Sequence, residues 1–483
     1  MRFSPILLVS SIATSVHAFY PYEIKISATV GAPSEEKVIP RFFPWRLVEQ
    51  ASADDASPPQ PFTLGIKKGP ARRGDTYAIV KSNTPTMKNS AALDQDGEDF
   101  SYFAVVDVGS QKQQMWMALD TGSPSSWVFS ALCQDSVCQR HHKFDKSQSS
   151  SYSSSDSVFT IGYGSGTVSG NLGTDTFGLA DMDVTLSFGT ATSANDTFAS
   201  YPFDGILGLG RSRTGGWGIP SFMDVVADKK LLPANIVGFS LSRAKDHKND
   251  GEVNFGAVDT TKFDGNISYI PTSTKTWTIP MDDAYVDGKP LGLTNRAATI
   301  DTGTTYILIP PADAAALFAH VPNSYRSGEN FIIPCNSTAT IEFAFAGIKY
   351  SILPEDYIGA SSTGGCVATI VGHESSGPND WLVGDVFLKN VYSVFDFDNG
   401  QIGFGALASP NSTGNGTAVI PTATASAGAA MTTVAGAPSR PPSNTSTAAT
   451  STIDTVMHTG AATRITHSVG FSFIATLTGI LFI

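Results

Sequence analysis

The longest patterned region of the chain alternates hydrophobic and polar residues in short runs. From Tyr102 to about Ala408 these runs are rich in Val, Ile, Phe, Tyr and Thr, and Gly, Asn, Asp and Ser separate them. Alternation with a period of two is typical of β-strands with one buried face. Only two stretches predict helices, SFMDVVADKKLL from Ser221 and PPADAAALFAHV from Pro310, where proline suits a first helical turn. The region is therefore predicted to be mostly β, with a few short helices.

Two parts of this region repeat the same pattern. LDTGS, which contains Asp120, precedes ILGLG, and IDTGT, which contains Asp301, precedes WLVGD. Asp120 and Gly208 are 88 positions apart, and Asp301 and Gly384 are 83 apart. The matched spacing predicts two lobes of one architecture, each placing an apolar strand that ends in Gly beside its Asp loop.

The N-terminal segment has the composition of targeting and processing sequences. In residues 1–18, Arg2 precedes an apolar stretch, and the segment ends in a cleavage-site sequence with small residues. This order predicts a secretory signal peptide. Residues 19–88 are polar and broken by Pro and Gly, and they predict a propeptide. The adjacent basic pair Arg72 and Arg73 is the expected cleavage point, although a surface loop of the mature protein is an alternative.

The C-terminal segment is predicted to connect the lobes to a membrane. Residues 409–460 are rich in Ser, Thr, Ala, Gly and Pro, so they cannot bury enough apolar surface to fold, and they predict an O-glycosylated stalk. Residues 461–483 end in a 15-residue apolar tail, which is shorter than the roughly 20 residues of a spanning helix. With the small residues Gly460–Ala462 this predicts a GPI-attachment signal, and a short transmembrane anchor or a disordered apolar end is the alternative.

Composition narrows the classes of function. The 483-residue chain is too long for one core, and its net charge of -12 argues against nucleic-acid binding. Four cysteines in a secreted chain predict disulfides, with three pairings open and local ones favoured. Six Asn-x-Ser/Thr sequences predict N-glycosylation at Asn195, Asn266, Asn336, Asn411, Asn415 and Asn444.

Two aspartates meeting at a lobe interface define a specific chemistry. Carboxylates about 3 Å apart cannot both ionise easily, so they share one proton. The ionised partner can then take a proton from a water that attacks an amide carbonyl, while the protonated partner stabilises the oxyanion. This chemistry predicts Asp120 and Asp301 as catalytic residues and requires neither a metal nor a cofactor.

The residues beside each aspartate suit supporting roles. The glycines lack the Cβ that would keep the loops apart, and their backbone N–H groups can hold the carboxylates. The threonines of the DTG triplets can hydrogen-bond across the pseudo-twofold axis, and the next hydroxyls can donate to the outer carboxylate oxygens. These residues are Thr121, Gly122, Ser123, Thr302, Gly303 and Thr304.

From about residue 100 to 408 the chain resembles the pepsin-family aspartic endopeptidases, specifically the GPI-anchored, yapsin-like members of fungal cell surfaces. The resemblance rests on the paired DTG-[ST] motifs, YPFDGILGLG and WLVGDVFLKNVYSVFDFDNGQIGFG. It implies a bilobal fold with pseudo-twofold symmetry, with lobes at 89–272 and 273–408. It also implies cleavage of extended polypeptides at acidic pH, and we expect a monomer at the cell surface.

The resemblance further implies a flap, a β-hairpin that closes over the substrate. FTIGYGSGTVSG offers Tyr163, Gly164 and Ser165 for its tip, and Trp127 resembles the tryptophan that hydrogen-bonds the flap tyrosine. One departure lies at Pro124, which replaces the second serine of the common DTGSS and removes one N–H at the edge of the site.

The cysteine spacings resemble a local loop, Cys133–Cys138, and a C-lobe bridge, Cys335–Cys366. A rival interpretation, a zinc site from two cysteines with His141 and His142, has unusual spacing and is disfavoured in a secreted chain.

Two further expectations can be checked. Basic residues of the prosegment, such as Lys67 or Lys81, are expected to cap the aspartates until acid protonates the site. The rival function is a catalytically weak wall or cell-surface protein that uses the lobes for binding and the stalk for display.

Overall fold

A computed structural model of the protein describes residues 21–27, 77–164, 166–211, 217–272, 275–362, 364–408 and 418–419. The signal peptide, the dibasic pair, most of the stalk and the GPI signal predicted above lie outside these residues. Short strands dominate, as predicted, and most of them are buried on at least one face.

The first half of the chain contains fourteen strands among the described residues. They are β1 (Pro21–Ser27), β2 (Ser90–Ala92), β3 (Asp94–Gln95), β4 (Tyr102–Val108), β5 (Gln113–Asp120), β6 (Trp127–Phe129), β7 (Ser153–Tyr163), β8 (Gly166–Leu179), β9 (Met182–Ala194), β10 (Gly205–Gly208), β11 (Ile236–Ser240), β12 (Glu252–Phe255), β13 (Val258–Asp259) and β14 (Phe263–Pro271).

The second half continues the same pattern of short strands. They are β15 (Thr278–Met281), β16 (Asp283–Val286), β17 (Lys289–Pro290), β18 (Arg296–Ile300), β19 (Ile307–Ile309), β20 (Tyr325–Ser327), β21 (Asn330–Ile333), β22 (Ile341–Phe345), β23 (Ile348–Ile352), β24 (Ile358–Ser362), β25 (Gly365–Ala368), β26 (Ile370–Gly372), β27 (Asp380–Val383), β28 (Val391–Asp396), β29 (Gln401–Leu407) and β30 (Ala418–Val419).

Helices are short, and the two predicted ones are confirmed. The α-helices are α1 (Phe222–Asp228), α2 (Pro311–Phe318), α3 (Pro354–Tyr357) and α4 (Asp385–Leu388), and the 3-10 helices are η1 (Val137–Arg140), η2 (Lys146–Gln148), η3 (Asp196–Ser200) and η4 (Ala244–Asp246). Ser221 and Asp224 form a capping box at the start of α1, and Pro311 occupies the first turn of α2. No helix within these described ranges has the length and hydropathy needed to cross a bilayer.

Equivalent strands of the two halves are paired in the same order. In the first half β5 lies parallel to β10, β10 antiparallel to β6, and β6 parallel to β9. In the second half β18 lies parallel to β27, β27 antiparallel to β19, and β19 parallel to β26. This correspondence confirms the two lobes of one architecture that the repeated motifs predict, and it agrees with the pseudo-twofold symmetry that the resemblance implies.

Besides the two sheets that contain these strand pairs, a further sheet joins the two halves of the chain, and it is called the third sheet below. Its six strands run in the order β14, β29, β28, β11, β12, β2, so the last strands of the second half lie between strands of the first. The fold is therefore mostly β and bilobal, in agreement with the predicted class, and both DTG loops belong to one chain.

Candidate active site

Each aspartate stands at the end of a buried apolar strand. Asp120 is the last residue of β5, where it lies opposite Gly208 of β10. Asp301 directly follows β18, whose Ile300 lies opposite Val383 of β27. Because both strands are covered by core side chains, both carboxyl groups are buried, with 0% exposure. The symmetric strand pairs thus bring the two carboxyl groups together.

The two glycines of the DTG loops allow this close approach. A Cβ on Gly122 would lie 2.6 Å from Cγ of Asp301, and one on Gly303 would lie 2.6 Å from Cγ of Asp120. Contacts under 3.0 Å are not found for real Cβ atoms, so any larger residue would push the carboxylates away. Each glycine therefore makes room for the aspartate of the opposite loop.

The two threonines bind the opposite loops reciprocally, as predicted. The Thr121 N–H donates to Oγ1 of Thr302 at 3.1 Å, and the Thr302 N–H donates to Oγ1 of Thr121 at 3.0 Å. Each hydroxyl in turn donates to a backbone carbonyl of the other loop, that of Ile300 or Leu119. These buried hydrogen bonds fix the relative position of the aspartates.

Hydrogen-bond donors are distributed unequally between the aspartates. Asp301 accepts from the N–H groups of Gly122 at 3.0 Å and Gly303 at 2.8 Å, and from the Thr304 hydroxyl at 2.6 Å. Asp120 accepts from the Ser123 N–H at 3.0 Å. The expected donation by the Ser123 hydroxyl to Asp120 is absent from the described contacts, in which the Ser123 oxygen accepts the N–H of Ser125.

Burial raises the pKa of both carboxyl groups. Burial raises the pKa of Asp120 well above its usual value, and the negative charge of Asp301 raises it further. Burial also raises the pKa of Asp301, but the Thr304 hydroxyl and the Gly303 N–H oppose that rise. The donors to Asp301 stabilise its ionised form, so the hydrogen bonds favour the negative charge of the pair on Asp301.

The hairpin predicted as the flap consists of β7 and β8, which are antiparallel from Ser153 to the turn after Tyr163. The indole Nε1–H of Trp127 donates to the Tyr163 hydroxyl at 2.9 Å, the contact that the resemblance implied. The Phe198 ring meets both rings edge-on, with centroids 5.6 Å from Trp127 and 6.2 Å from Tyr163. Gly164 lies in the hairpin turn, and Ser165 lies outside the described residues.

The glycines of ILGLG pack directly on the loop that contains Pro124. A Cβ on Gly208 would lie 2.5 Å from the carbonyl carbon of Pro124, and one on Gly210 would lie 2.6 Å from its nitrogen. The Gly210 N–H donates to the carbonyl of Ser123 at 2.8 Å, which binds the loop directly before the proline. The absence of a Cβ on Gly208 and Gly210 therefore lets this segment lie directly against the backbone of Pro124.

The cysteines form the two bridges that the resemblance implied, Cys133–Cys138 and Cys335–Cys366. Residues 133–138 are called the disulfide loop below. The thiolates that the zinc interpretation needs are thus bound to each other. His141 and His142 contact Asp204, whose carboxylate lies 2.5 Å from Nδ1 of His142.

The hypothesis that Lys81 caps the aspartates is wrong. Lys81 is exposed, and its charge acts on Asp94, whose pKa it lowers against the larger effect of burial. Lys67, the other candidate, lies outside the described residues.

The sequence analysis does not single out two buried acids, Asp204 and Asp385. Asp204 accepts the N–H groups of Trp116 at 2.8 Å and His142 at 2.7 Å, and so connects β5 to the segment after the disulfide loop.

Asp385 is 3% exposed, and its N–H donates to the carbonyl of Thr304 at 2.8 Å. Burial raises the pKa of Asp385 well above its usual value. Asp204 lies in YPFDGILGLG and Asp385 lies in WLVGDVF. In each case a single acidic residue within an apolar run is the sequence signal that indicates a buried carboxyl group.

Three predicted glycosylation sites fall on described residues. Asn195, Asn266 and Asn336 are all exposed, which glycosylation requires. The remaining three, Asn411, Asn415 and Asn444, lie outside the described residues.

The geometry defines a class of protein: two β-rich lobes that hold a pair of buried aspartates, which is the architecture of aspartic proteases. Comparison with known sequences agrees. Residues 101–407 match the eukaryotic aspartyl protease family. The aspartic-type endopeptidase ctsD of Aspergillus fumigatus is 43% identical over 479 residues, which cover 98% of each chain.

More distant relatives include animal and amoebal proteases. Cathepsin D of Dictyostelium discoideum is 33% identical over 322 residues, covering 64% of this chain and 84% of the relative. Pepsin A of Rhinolophus ferrumequinum is 29% identical over 319 residues, covering 64% and 82%. The chain belongs to the eukaryotic aspartyl protease family, and it is an aspartic endopeptidase whose substrates are polypeptides.

Proposed function

We propose that Asp120 and Asp301 are the catalytic pair of this endopeptidase and that they hydrolyse peptide bonds at acidic pH. The observation that carries the proposal is the mutual approach of the two carboxyl groups. Each DTG glycine lies where a Cβ would meet the opposite carboxylate at 2.6 Å. Such proximity makes the singly protonated pair the active form, and an acidic medium populates it.

The unequal hydrogen bonding supports a division of roles. Asp301 has three described donors and favours the charge, so it takes a proton from water as the water oxygen bonds to the substrate carbonyl carbon. Asp120 gives its proton to the carbonyl oxygen, which produces a tetrahedral diol. When the C–N bond breaks, Asp301 returns its proton to the amine nitrogen, and Asp120 recovers a proton from the diol. Both residues then have their starting charges.

The hairpin of β7 and β8 is proposed to close over the substrate as the flap. The Trp127–Tyr163 hydrogen bond and the Phe198 ring support Tyr163 from the body of the lobe. A lid held in this way excludes water from the reacting groups and strengthens their electrostatic interactions.

A peptide-library digest tests the proposal. The processed chain is expected to cleave peptides at acidic pH and to be inhibited by a statine-containing transition-state mimic. Cleavage that ignores this inhibitor would contradict the assignment of the pair. Absence of any cleavage, with intact binding of polypeptides, would favour the rival role as a catalytically weak surface protein.

We also propose that the chain matures by cleavage after Arg73. Residues from Tyr77 onward are bound to the first lobe: the Tyr77 hydroxyl donates to the carbonyl of Ala199 at 2.7 Å, and Val80 pairs with Gln95. Strand β1, from the proposed propeptide, pairs antiparallel with β7, the outer strand of the proposed flap. These contacts support a zymogen in which the prosegment restrains the flap, and N-terminal sequencing of the secreted protein tests the cleavage site.

Attachment to the cell surface is a further proposal. The composition of residues 409–460 and the apolar tail support a glycosylated stalk with a GPI anchor. We propose that the enzyme acts there as a monomer, because one chain supplies both aspartates. Release of activity from cells by a phosphatidylinositol-specific phospholipase is expected, and retention after complete digestion would favour the transmembrane alternative.

A further inference from the structure

Asn195 lies at the junction between the body of the first lobe and the proposed flap. It directly follows β9, whose last residue, Ala194, pairs with Val168 of β8. The Asn195 N–H donates to the carbonyl of Thr167 at 3.1 Å, and its side-chain Oδ1 accepts the Thr167 N–H at 2.5 Å. A side chain therefore extends the ladder of the sheet to the residue next to Gly166, where the flap turn ends.

The flap strand approaches this segment closely. Gly166 has a φ of +143°, and a Cβ there would lie 2.6 Å from Oγ1 of Thr197 and 3.0 Å from Cβ of Asn195. The start of β8 thus lies directly against Asn195 and Thr197, with no room for a larger residue at position 166.

The segment around Asn195 is itself held firmly by the disulfide loop. Oδ2 of Asp135 accepts the Ser193 hydroxyl at 2.7 Å and the Ala194 N–H at 3.0 Å. The Ser136 hydroxyl donates to Oδ1 of Asp196 at 3.0 Å. Asn195 is therefore a fixed support on which the flap strand rests.

The chemistry of the Asn195 amide permits a second use. Asn195, Asp196 and Thr197 form a glycosylation sequence, and the Asn195 side chain is exposed. In glycosylation Nδ2 displaces the lipid pyrophosphate from C1 of a lipid-linked oligosaccharide and loses one proton. The reaction leaves Oδ1 as an acceptor, so the contact with the Thr167 N–H survives modification.

We propose that Asn195 is both a glycosylation site and a positioning residue for the flap, so that its glycan acts on the reaction through Thr167. The inference rests on the flap role proposed above. A glycan on Nδ2 restricts the torsions of the Asn195 side chain, which lowers the entropic cost of holding the Thr167 N–H.

Four variants of the full chain, secreted from a glycosylating host, separate these effects. Asn195→Ala removes both the acceptor and the glycan, whereas Asn195→Asp keeps the acceptor alone. Thr197→Ala removes the glycosylation sequence and keeps Asn195. Because it also removes the hydroxyl beside Gly166, the wild-type chain made in a non-glycosylating host shows which part of its effect comes from the glycan. Asn266→Gln removes an exposed site on β14 and serves as the control.

Three readouts are compared: glycopeptide mapping, hydrogen exchange of the Thr167 amide, and inhibition by a statine-containing peptide. Asn195 is expected to be occupied by a glycan. Exchange is expected to be slowest in the wild type, faster in Thr197→Ala and Asn195→Asp, and fastest in Asn195→Ala. Since one net hydrogen bond is at stake, Asn195→Ala should weaken the inhibitor and raise KM about 2- to 12-fold, with little change in kcat.

The positioning role of Asn195 and the action of its glycan are refuted by different results. Unchanged Thr167 exchange in Asn195→Ala would eliminate the positioning role. An unoccupied Asn195, or identical exchange in Thr197→Ala and the wild type, would eliminate the action of the glycan. Wild-type protein without peptidase activity would overturn the proposed function instead, and the exchange data would still test the contact.

Discussion

Replacing His141 with phenylalanine is expected to protect the fold against acid. The His141 ring is buried and stacks on Phe129 with a centroid distance of 4.5 Å. Burial lowers its pKa from 6.5 to about 4, and the charge of Arg140 adds to this effect. The carboxylate of Asp204 and nearby backbone carbonyls oppose the shift without reversing it.

The sign and the size of the effect follow from proton linkage. The unfolded chain binds a proton at His141 near pH 6.5, whereas the folded protein binds it only near pH 4. The stabilisation present above pH 6.5 is therefore lost as the pH falls through this interval. At about 1.36 kcal/mol per pH unit, the loss is worth about 3 kcal/mol below pH 4.

Equilibrium urea unfolding from pH 7 to pH 3.5 measures this quantity, with Asp120→Asn as the background to prevent self-digestion. His141→Phe should lose about 3 kcal/mol less of its free energy of unfolding over this interval than its parent. His320→Gln, on the exposed segment after α2, is the control and should behave as the parent does. Equal losses in His141→Phe and its parent would refute the reasoning.

Three other predictions concern the site itself. Trp127→Phe removes the 2.9 Å hydrogen bond to Tyr163 and should lower kcat/KM about 2- to 12-fold in a peptide assay; an unchanged value would contradict the support of the flap. Gly303→Ala places a Cβ 2.6 Å from Cγ of Asp120 and should abolish cleavage while circular dichroism stays native; retained activity would contradict the packing of the pair. Because burial holds the pKa of Asp385 above its usual value, stability is lost as pH rises, and Asp385→Asn should raise the melting temperature more at pH 7 than at pH 4. A larger rise at pH 4 would contradict that assignment.

Much of the site could be predicted because its signals are local. Each DTG triplet lies at the end of an apolar strand, and the Trp127–Tyr163 contact is implied by the resemblance to the pepsin family. The start of α1 was equally readable, since the capping residues Ser221 and Asp224 are three positions apart.

The parts that were missed depend on long-range contacts. Asp204 binds the N–H of Trp116, which lies 88 positions earlier, and no local pattern shows that pairing. The same reason explains the third sheet, where β28 pairs with β11 across the sequence of a whole lobe. The sequence predicts the same role for the Ser123 and Thr304 hydroxyls, but only Thr304 donates to its aspartate among the described contacts, so the two loops differ in detail.

The measurement that tests the central claim most directly is the hydrolysis of one peptide by Asp120→Asn, Asp301→Asn and the double variant at acidic pH. If the two carboxyl groups act as one unit that shares a proton, each single variant should lose about 10³-fold or more in kcat/KM. The double variant should then lose no more than either single one, because the unit is already disabled. Activity near that of the wild type in one single variant, or losses that multiply in the double variant, would contradict the account.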